Sequence, residues 1–345
     1  MSRSETSVVV EKPQTTTRKI TKTSINTTTC RSNEISTARW LLGMAMATTF
    51  CCVYFFAPIY IITSILCLLF RYPTMEGSFV IAAPLILSIL SKPKKLDCRF
   101  LKPMADYFDF ETAFEFTDAD IREMLKTTDK RFILASQPHG VLSFCGICSL
   151  AVCDPDIGQI KTATASVVHQ TPILKNVMGI FGLVDASRKS MQRHFQNKGI
   201  DGCLVLYVGG IAELFKSSPV EERLFLSQRK GFIKLALKEG VDVIPAYLFG
   251  NTSVLSVLKH GPLADLSRKL QVSLTYMWGK YYLPIPRDEK CLYARAKPMG
   301  LPHIPDPTDE DVDKWHAKYC EEVKRLFNTY KEKVPAYKHK KLYID

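Results

Sequence analysis

The sequence predicts an α/β layered domain with a mixed sheet, preceded by an N-terminal membrane-embedded helical hairpin. Three features lead there: an uncharged run from Trp40 to Phe70, an alternation of strand-like and helix-like segments over residues 131–249, and an apolar stripe at helical spacing over residues 312–330. With 345 residues, 46% of them hydrophobic and 23% charged, the chain can build one large domain or two modest ones, and a wholly disordered protein is excluded.

Residues 1–39 read as a disordered basic leader, since 16 of them are Ser or Thr and few are large and apolar. A transit peptide shares that composition and stays open as an alternative. The run Trp40–Phe70 would be roughly 46 Å long as a helix, against a hydrocarbon core of about 30 Å. Tilt or a break at Pro58 would absorb the excess. A second uncharged run, Gly77–Ser91, contains Pro84 and is too short alone for a regular span. The polar Arg71–Glu76 segment joins the two runs and positive charge flanks both, so residues 40–91 read as a hairpin with both ends cytosolic. A single span plus a monotopic helix is the alternative. A cleavable signal peptide is disfavoured, because the apolar run begins late and is too long.

The net charge of +12 sits mainly outside the folded body: +4 in residues 1–39, +4 in 92–102 and +3 in 331–345, with only +1 over 103–330. A basic segment beside an apolar hairpin suits anionic lipid and argues against nucleic acid as a partner. Residues 92–336 form the α/β domain. Strands are expected at Arg131–Ser136, Lys161–Val168, Leu183–Asp185, Cys203–Val208 and Val241–Phe249, and helices at Gly140–Val152, Thr171–Phe181, Arg188–Asn197 and Gly231–Glu239. Val312, Trp315, Tyr319, Val323, Leu326 and Tyr330 mark a last helix, with Thr308 as its N-cap and acidic residues in its first turn. Residues 337–345 read as a solvated tail.

The 11 cysteines are scattered, and three lie in the first apolar run, so a secreted disulfide framework is unexpected. Neither the lone Cys145-x-x-Cys148 pair nor the seven histidines show metal-ligand spacing, and no metal is expected.

Three segments carry chemistry. In Arg131–Gly140 a strand ends in a turn, where Pro138 fixes φ and Gly140 permits close backbone approach. That puts His139 at the sheet's C-terminal edge, where a neutral imidazole is a general base; a satisfied structural histidine is the plainer reading. In Leu204–Phe215, Gly209 and Gly210 follow a strand and expose N–H groups, and Glu213 is placed to orient His139 or hold an acceptor hydroxyl; a tight turn with a helix-start glutamate is the alternative. In Arg229–Pro245, Arg229 and Lys230 precede an amphipathic helix, where cations and helix dipole suit an anion. Two exposed surface cations would read the same way.

In this order the three segments resemble the diacylglycerol acyltransferase type 2 family, which includes monoacylglycerol and wax-alcohol acyltransferases. The resemblance runs from about Tyr107 to Tyr330 and includes Val184–Arg188, Ala246–Gly250 and Pro307–His316; the block Arg229–Gly240 is its most specific part. It implies a glycerolipid-acyltransferase-like fold and acyl transfer from acyl-CoA to a lipid hydroxyl at the endoplasmic-reticulum membrane, with lipid droplets as a second location. Acyl-CoA is then a substrate, no cofactor is implied, and diacylglycerol is the expected acceptor. Monoacylglycerol, a wax alcohol, or a catalytically silent lipid-binding protein are the alternatives, and homo-oligomerisation is left open. His139 matches the second histidine of the family's His-Pro-His-Gly or Glu-Pro-His-Gly motif, whose first position is Gln137 here, an expected acceptor-binding residue. The family's Tyr-Phe-Pro appears as Tyr107-Phe108-Asp109. Phe144 stands where related glycerolipid acyltransferases place an Asp. Glu213 is therefore the expected orienter of His139. Pro138, Gly140, Gly209 and Gly210 form the oxyanion turns, and Arg188, Lys189, Arg229 and Lys230 are expected to meet acyl-CoA.

Overall fold

Strand β3, Phe132–Gln137, is buried along its whole length, as an apolar run between two parallel neighbours must be. The computed structural model describes residues 26–29, 35–128, 130–210, 213, 220–259, 261 and 276–345. Eight strands form the main sheet around β3: β1 (Asn26–Thr29), β2 (Glu111–Phe114), β4 (Lys161–Thr164), β5 (Leu183–Asp185), β6 (Leu204–Tyr207), β8 (Asp242–Phe249) and β11 (Leu292–Arg295), in the order β1-β2-β11-β8-β3-β6-β4-β5. From β8 to β5 the neighbours are parallel, whereas β11 runs antiparallel to β8 and parallel to β2, so the sheet is mixed. Two small sheets pair β7 (Glu221–Leu224) with β12 (Lys341–Ile344) and β9 (Ser256–Val257) with β10 (Met277–Trp278).

Alternation along the central strands divides the core in two. Leu134, Ile244, Ala246 and Leu248 face one layer, which contains α1 (Thr37–Phe70), α3 (Lys102–Tyr107) and α5 (Phe144–Val152). Ile133, Ala135, Val243, Tyr247 and Phe249 face α9 (Gly231–Glu239) and α10 (Asp309–Tyr330). Thr308 and Asp311 close a capping box at the start of α10, and Val312, Tyr319, Val323, Leu326 and Tyr330 are its buried stripe. The shorter helices α2 (Met75–Leu90), α4 (Asp118–Thr128), α6 (Ser166–Gln170), α7 (Leu174–Gly179) and α8 (Arg188–His194) complete the chain.

Helix α1 continues through Pro58 without a break and is long and apolar enough to cross a bilayer; α2, also apolar, is shorter. They form a hairpin, with the Tyr60 hydroxyl donating to Ile81 O at 2.7 Å. Their outer part is bare: Phe56, Ile59, Ile62, Leu69, Val80, Leu87 and Leu90 are exposed apolar side chains. The first half of α1 behaves differently, since Gly43, Ala47 and Cys51 are buried and Trp40 packs on Tyr107 with ring centroids 5.1 Å apart. Packing therefore ties residues 40–55 to the domain, and the exposed hairpin begins near residue 56.

Several expected boundaries move. The helix expected from Gly140 starts at Phe144, because Gly140 adopts φ 65° in the turn before it. The strand expected over 161–168 ends at Thr164, whose hydroxyl meets His169 Nε2 at 2.9 Å as α6 begins. Most of the 1–39 leader lies outside the described residues, but Asn26–Thr29 adds an edge strand to β2. The reading of 337–345 as a solvated tail is corrected: Tyr337 and Lys340 are buried and β12 pairs with β7.

Candidate active site

The end of β3 and the turn Gln137-Pro138-His139-Gly140 place His139 half-buried in the wall of a cavity of about 1740 Å³. Gly140 is needed there, because at φ 65° a Cβ would come within 2.6 Å of Asn251 O. Asn251 straps the turn. Its Nδ2 donates to Pro138 O at 3.0 Å and His139 O at 2.6 Å, and its Oδ1 accepts from Cys145 N at 3.1 Å at the start of α5.

His139 Nδ1 lies 2.8 Å from Gly140 O. A carbonyl can only accept, so Nδ1 carries the proton and Nε2 the lone pair. Burial holds the imidazole below the ordinary histidine range, opposed by the Gly140 carbonyl. The ring meets Tyr207 edge-on at 4.8 Å between centroids, and the Tyr207 phenol, hydrogen-bonded to Ser143, is pushed up to about 12 by burial and stays protonated.

Glu213 does not meet the imidazole through any hydrogen bond. Its Oε2 accepts from the His139 backbone N–H at 3.3 Å, so it fixes the peptide and leaves ring orientation to the Gly140 carbonyl. Burial pushes its carboxyl up to about 8, against the backbone bonds from His139 and Phe225. Gly209 is pressed against this carboxyl, where any side chain would collide with it. Phe144, at the acid position of the related enzymes, is buried and packs on Phe108 at 5.0 Å. Tyr107, in the same motif, donates its hydroxyl to Pro286 O at 2.5 Å.

The expected site residues divide between two places. His139, Gly140, Gly210, Arg188 and Arg229 line the cavity. Gln137, Pro138, Gly209, Glu213, Lys189 and Lys230 do not. Gln137 is fully buried on the opposite sheet face, where Tyr319 OH donates to its Oε1 at 2.5 Å, so its side chain offers an acceptor in the cavity nothing. Lys230 pairs with Asp313 at 2.6 Å, and Lys189 is exposed. Lys234 lines the cavity one helical turn into α9, a cation the sequence reading missed although it stands in the same Arg229–Gly240 block. Asn251 and Tyr207 were missed as well. Apolar residues such as Ile147, Leu150, Met178 and Phe181, with Tyr54 on α1, line the same cavity as His139 and the cations. Among the described residues no cluster of three metal-ligating side chains occurs.

A family model described as diacylglycerol acyltransferase matches residues 98–345. Among curated proteins, the chain is 28% identical over 221 residues to diacylglycerol O-acyltransferase 2 of Dictyostelium discoideum, covering 59% of this chain and 66% of that one. It is 27% identical over 225 residues to the Danio rerio protein of the same name, covering 59% and 61%. Acyl-CoA wax alcohol acyltransferase 2 of Mus musculus is 28% identical over 263 residues, covering 68% and 74%. The chain thus spans just under two thirds of the first two relatives.

Proposed function

Because the chain belongs to the diacylglycerol acyltransferase family, we propose that it transfers an acyl group from acyl-CoA to a lipid hydroxyl, making triacylglycerol from diacylglycerol with His139 as general base. The observation that carries this reading is the Nδ1 bond to Gly140 O, which leaves Nε2 as a base inside a cavity with a cationic side and an apolar interior. Nε2 takes the acceptor's proton as the hydroxyl oxygen attacks the thioester carbonyl carbon. The C–S bond then breaks and the imidazolium returns its proton to the departing thiolate, so no acyl-enzyme and no cofactor is needed. Main-chain N–H groups at Gly140 or Gly210 are the oxyanion donors, each contributing about 3–4 kcal/mol.

Arg188, Arg229 and Lys234 bind the CoA phosphates, with Lys189 and Lys230 outside the cavity. The volume exceeds the roughly 300–1,000 Å³ of a site for one small ligand, which suits two lipidic substrates. The bare outer hairpin holds the cavity at the endoplasmic-reticulum membrane, both chain ends in the cytosol, with lipid droplets as a second location. A fatty alcohol is the second acceptor class, favoured by the wider match to the wax alcohol enzyme.

The test is labelled acyl-CoA with membranes containing the full chain and, in turn, diacylglycerol, monoacylglycerol and fatty alcohol. His139→Ala should lose at least about a hundredfold in kcat while the protein remains inserted. Retained turnover removes the base, and no product from any acceptor favours a silent lipid-binding protein. Since burial lowers the His139 pKa, the wild-type rate should stay flat through neutral pH and fall only on the acid side of about 6.5, as Nε2 becomes protonated.

A further inference from the structure

Residues 337–345 are linked to the catalytic turn by a buried run of hydrogen bonds. Lys340, 4% exposed, donates to Glu222 Oε1 at 2.7 Å. The same oxygen accepts from Thr252 Oγ1 at 2.7 Å, and that hydroxyl also meets Tyr337 OH at 2.7 Å. Thr252 directly follows Asn251, whose side-chain amide holds the carbonyls of Pro138 and His139 and the first turn of α5. From this geometry we propose that Lys340 is a positioning residue for His139, acting through Glu222, Thr252 and Asn251 to keep Nε2 turned into the cavity. This rests on the reading of His139 as the base.

Glu222 is fully buried, and a carboxylate there needs a counter-charge. Lys340 is the counter-charge bonded to it among the described residues. Without that ammonium the carboxylate is a buried charge with no bonded counter-ion among the described residues, and it must move or draw in water. Either change weakens the bond it accepts from Thr252, and the peptide joining residues 251 and 252 shifts with it. Unlike an ordinary edge salt bridge, this one is connected, through Thr252 and then the side chain of Asn251, to the backbone carbonyl of the reacting residue. β12 itself has separate supports, because Asp345 N donates to Leu224 O and Ser227 N to Asp345 O, both at 2.9 Å. Removing the Lys340 charge therefore leaves the strand's main-chain attachment in place.

The experiment uses the full chain in membranes and compares Lys340→Met, Thr252→Val, the double variant K340M/T252V, the charge-balanced K340M/E222Q, and His139→Ala. Kinetics are followed with acyl-CoA and the preferred acceptor across pH. Each single change at Lys340 or Thr252 should lower kcat about tenfold, because a slightly misplaced base loses rate steeply. Both KM values should stay within about twofold. K340M/T252V should be no slower than the worse single variant, since the two residues act in series. In K340M the acid limb of the pH profile should move up toward the ordinary histidine range as the ring loosens. K340M/E222Q should recover most of the rate. Additive losses in the double variant, an unmoved acid limb, or wild-type kcat in K340M would each overturn the proposal. Should K340M fail to accumulate, T252V and K340M/E222Q decide it by the same readouts. Activity retained in H139A would sink the base assignment itself. H139A inactive beside an unaltered K340M would sink only the positioning role.

Discussion

On one face of the central sheet, His139, Tyr207 and Ser143 stand along a large cavity; on the other, Gln137, Glu213, Glu222 and Lys340 are closed in among aromatic rings of α10 and its surroundings. Both faces interrupt an apolar core with polar groups, and they satisfy them differently. The open face turns its groups toward space a substrate can fill. The closed face spends its groups on one another and on backbone, and still leaves Gln137 Nε2, Glu213 Oε1, Glu222 Oε2 and Tyr247 OH without a hydrogen-bond partner among the described residues. Orphan buried polar atoms are costly, and here they gather behind the catalytic turn. Reaction chemistry and its scaffold are thus separated by a single strand: Ser136 faces the cavity, Gln137 faces away and His139 returns to it.

Gly140→Ala tests the open face most severely, because the new methyl must displace Asn251 O and the backbone must hold φ 65° with a side chain. The expected result is a loss of about a hundredfold in kcat, since the residue sits between His139 and its strap. A nearly normal rate would mean that the tight approach of Asn251 to the turn has no part in aligning the base.

The anion end of the same cavity should respond through binding instead of rate. Replacing Arg188 and Arg229 together by Ala should raise the KM for acyl-CoA about tenfold and leave the lipid acceptor's KM unchanged, as expected when charge-assisted contacts to phosphate are lost. The reverse pattern would move the CoA site elsewhere. Lys189→Ala and Lys230→Ala serve as controls, as both lie outside the cavity.

The open face was largely legible in the sequence, because its signals are local. An apolar strand, Pro138, His139 and Gly140 are contiguous, and Arg229 stands at the start of a clearly amphipathic helix. The mixed sheet was legible as a class, although β2 and β11 were missed, being four-residue strands with little pattern of their own. The closed face was hidden, because its pairings bridge long stretches of chain. Glu213 looked like a partner for the imidazole, but a carboxylate serves a backbone N–H as readily, and only the fold decides which is near. Asn251 sits 112 residues from the carbonyl of His139 that it holds, and Lys340 is separated from Glu222 by 118. A lysine-rich end reads as solvated until the buried carboxylate is known.

The smallest effect is expected on the closed face, from Glu213→Gln, and its sign distinguishes a neutral buried carboxyl from a charged one. Burial raises the folded carboxyl to about 8 from an ordinary value of 4.5, so between those limits the folded protein holds a proton that the unfolded chain has released. Stability from this group is therefore fully present below about pH 4.5 and declines as pH rises toward about 8. The side-chain amide that replaces the carboxyl would still accept the His139 and Phe225 backbone bonds but would not titrate. Denaturation midpoints measured from about pH 5 to about 8 should fall less steeply for E213Q than for the wild type, while kcat stays within about threefold because the ring is oriented by the Gly140 carbonyl. Equal slopes would mean that Glu213 is already ionised when folded. The closed face would then hold a charge on the His139 peptide, and the imidazole would sense it electrostatically even without a direct bond.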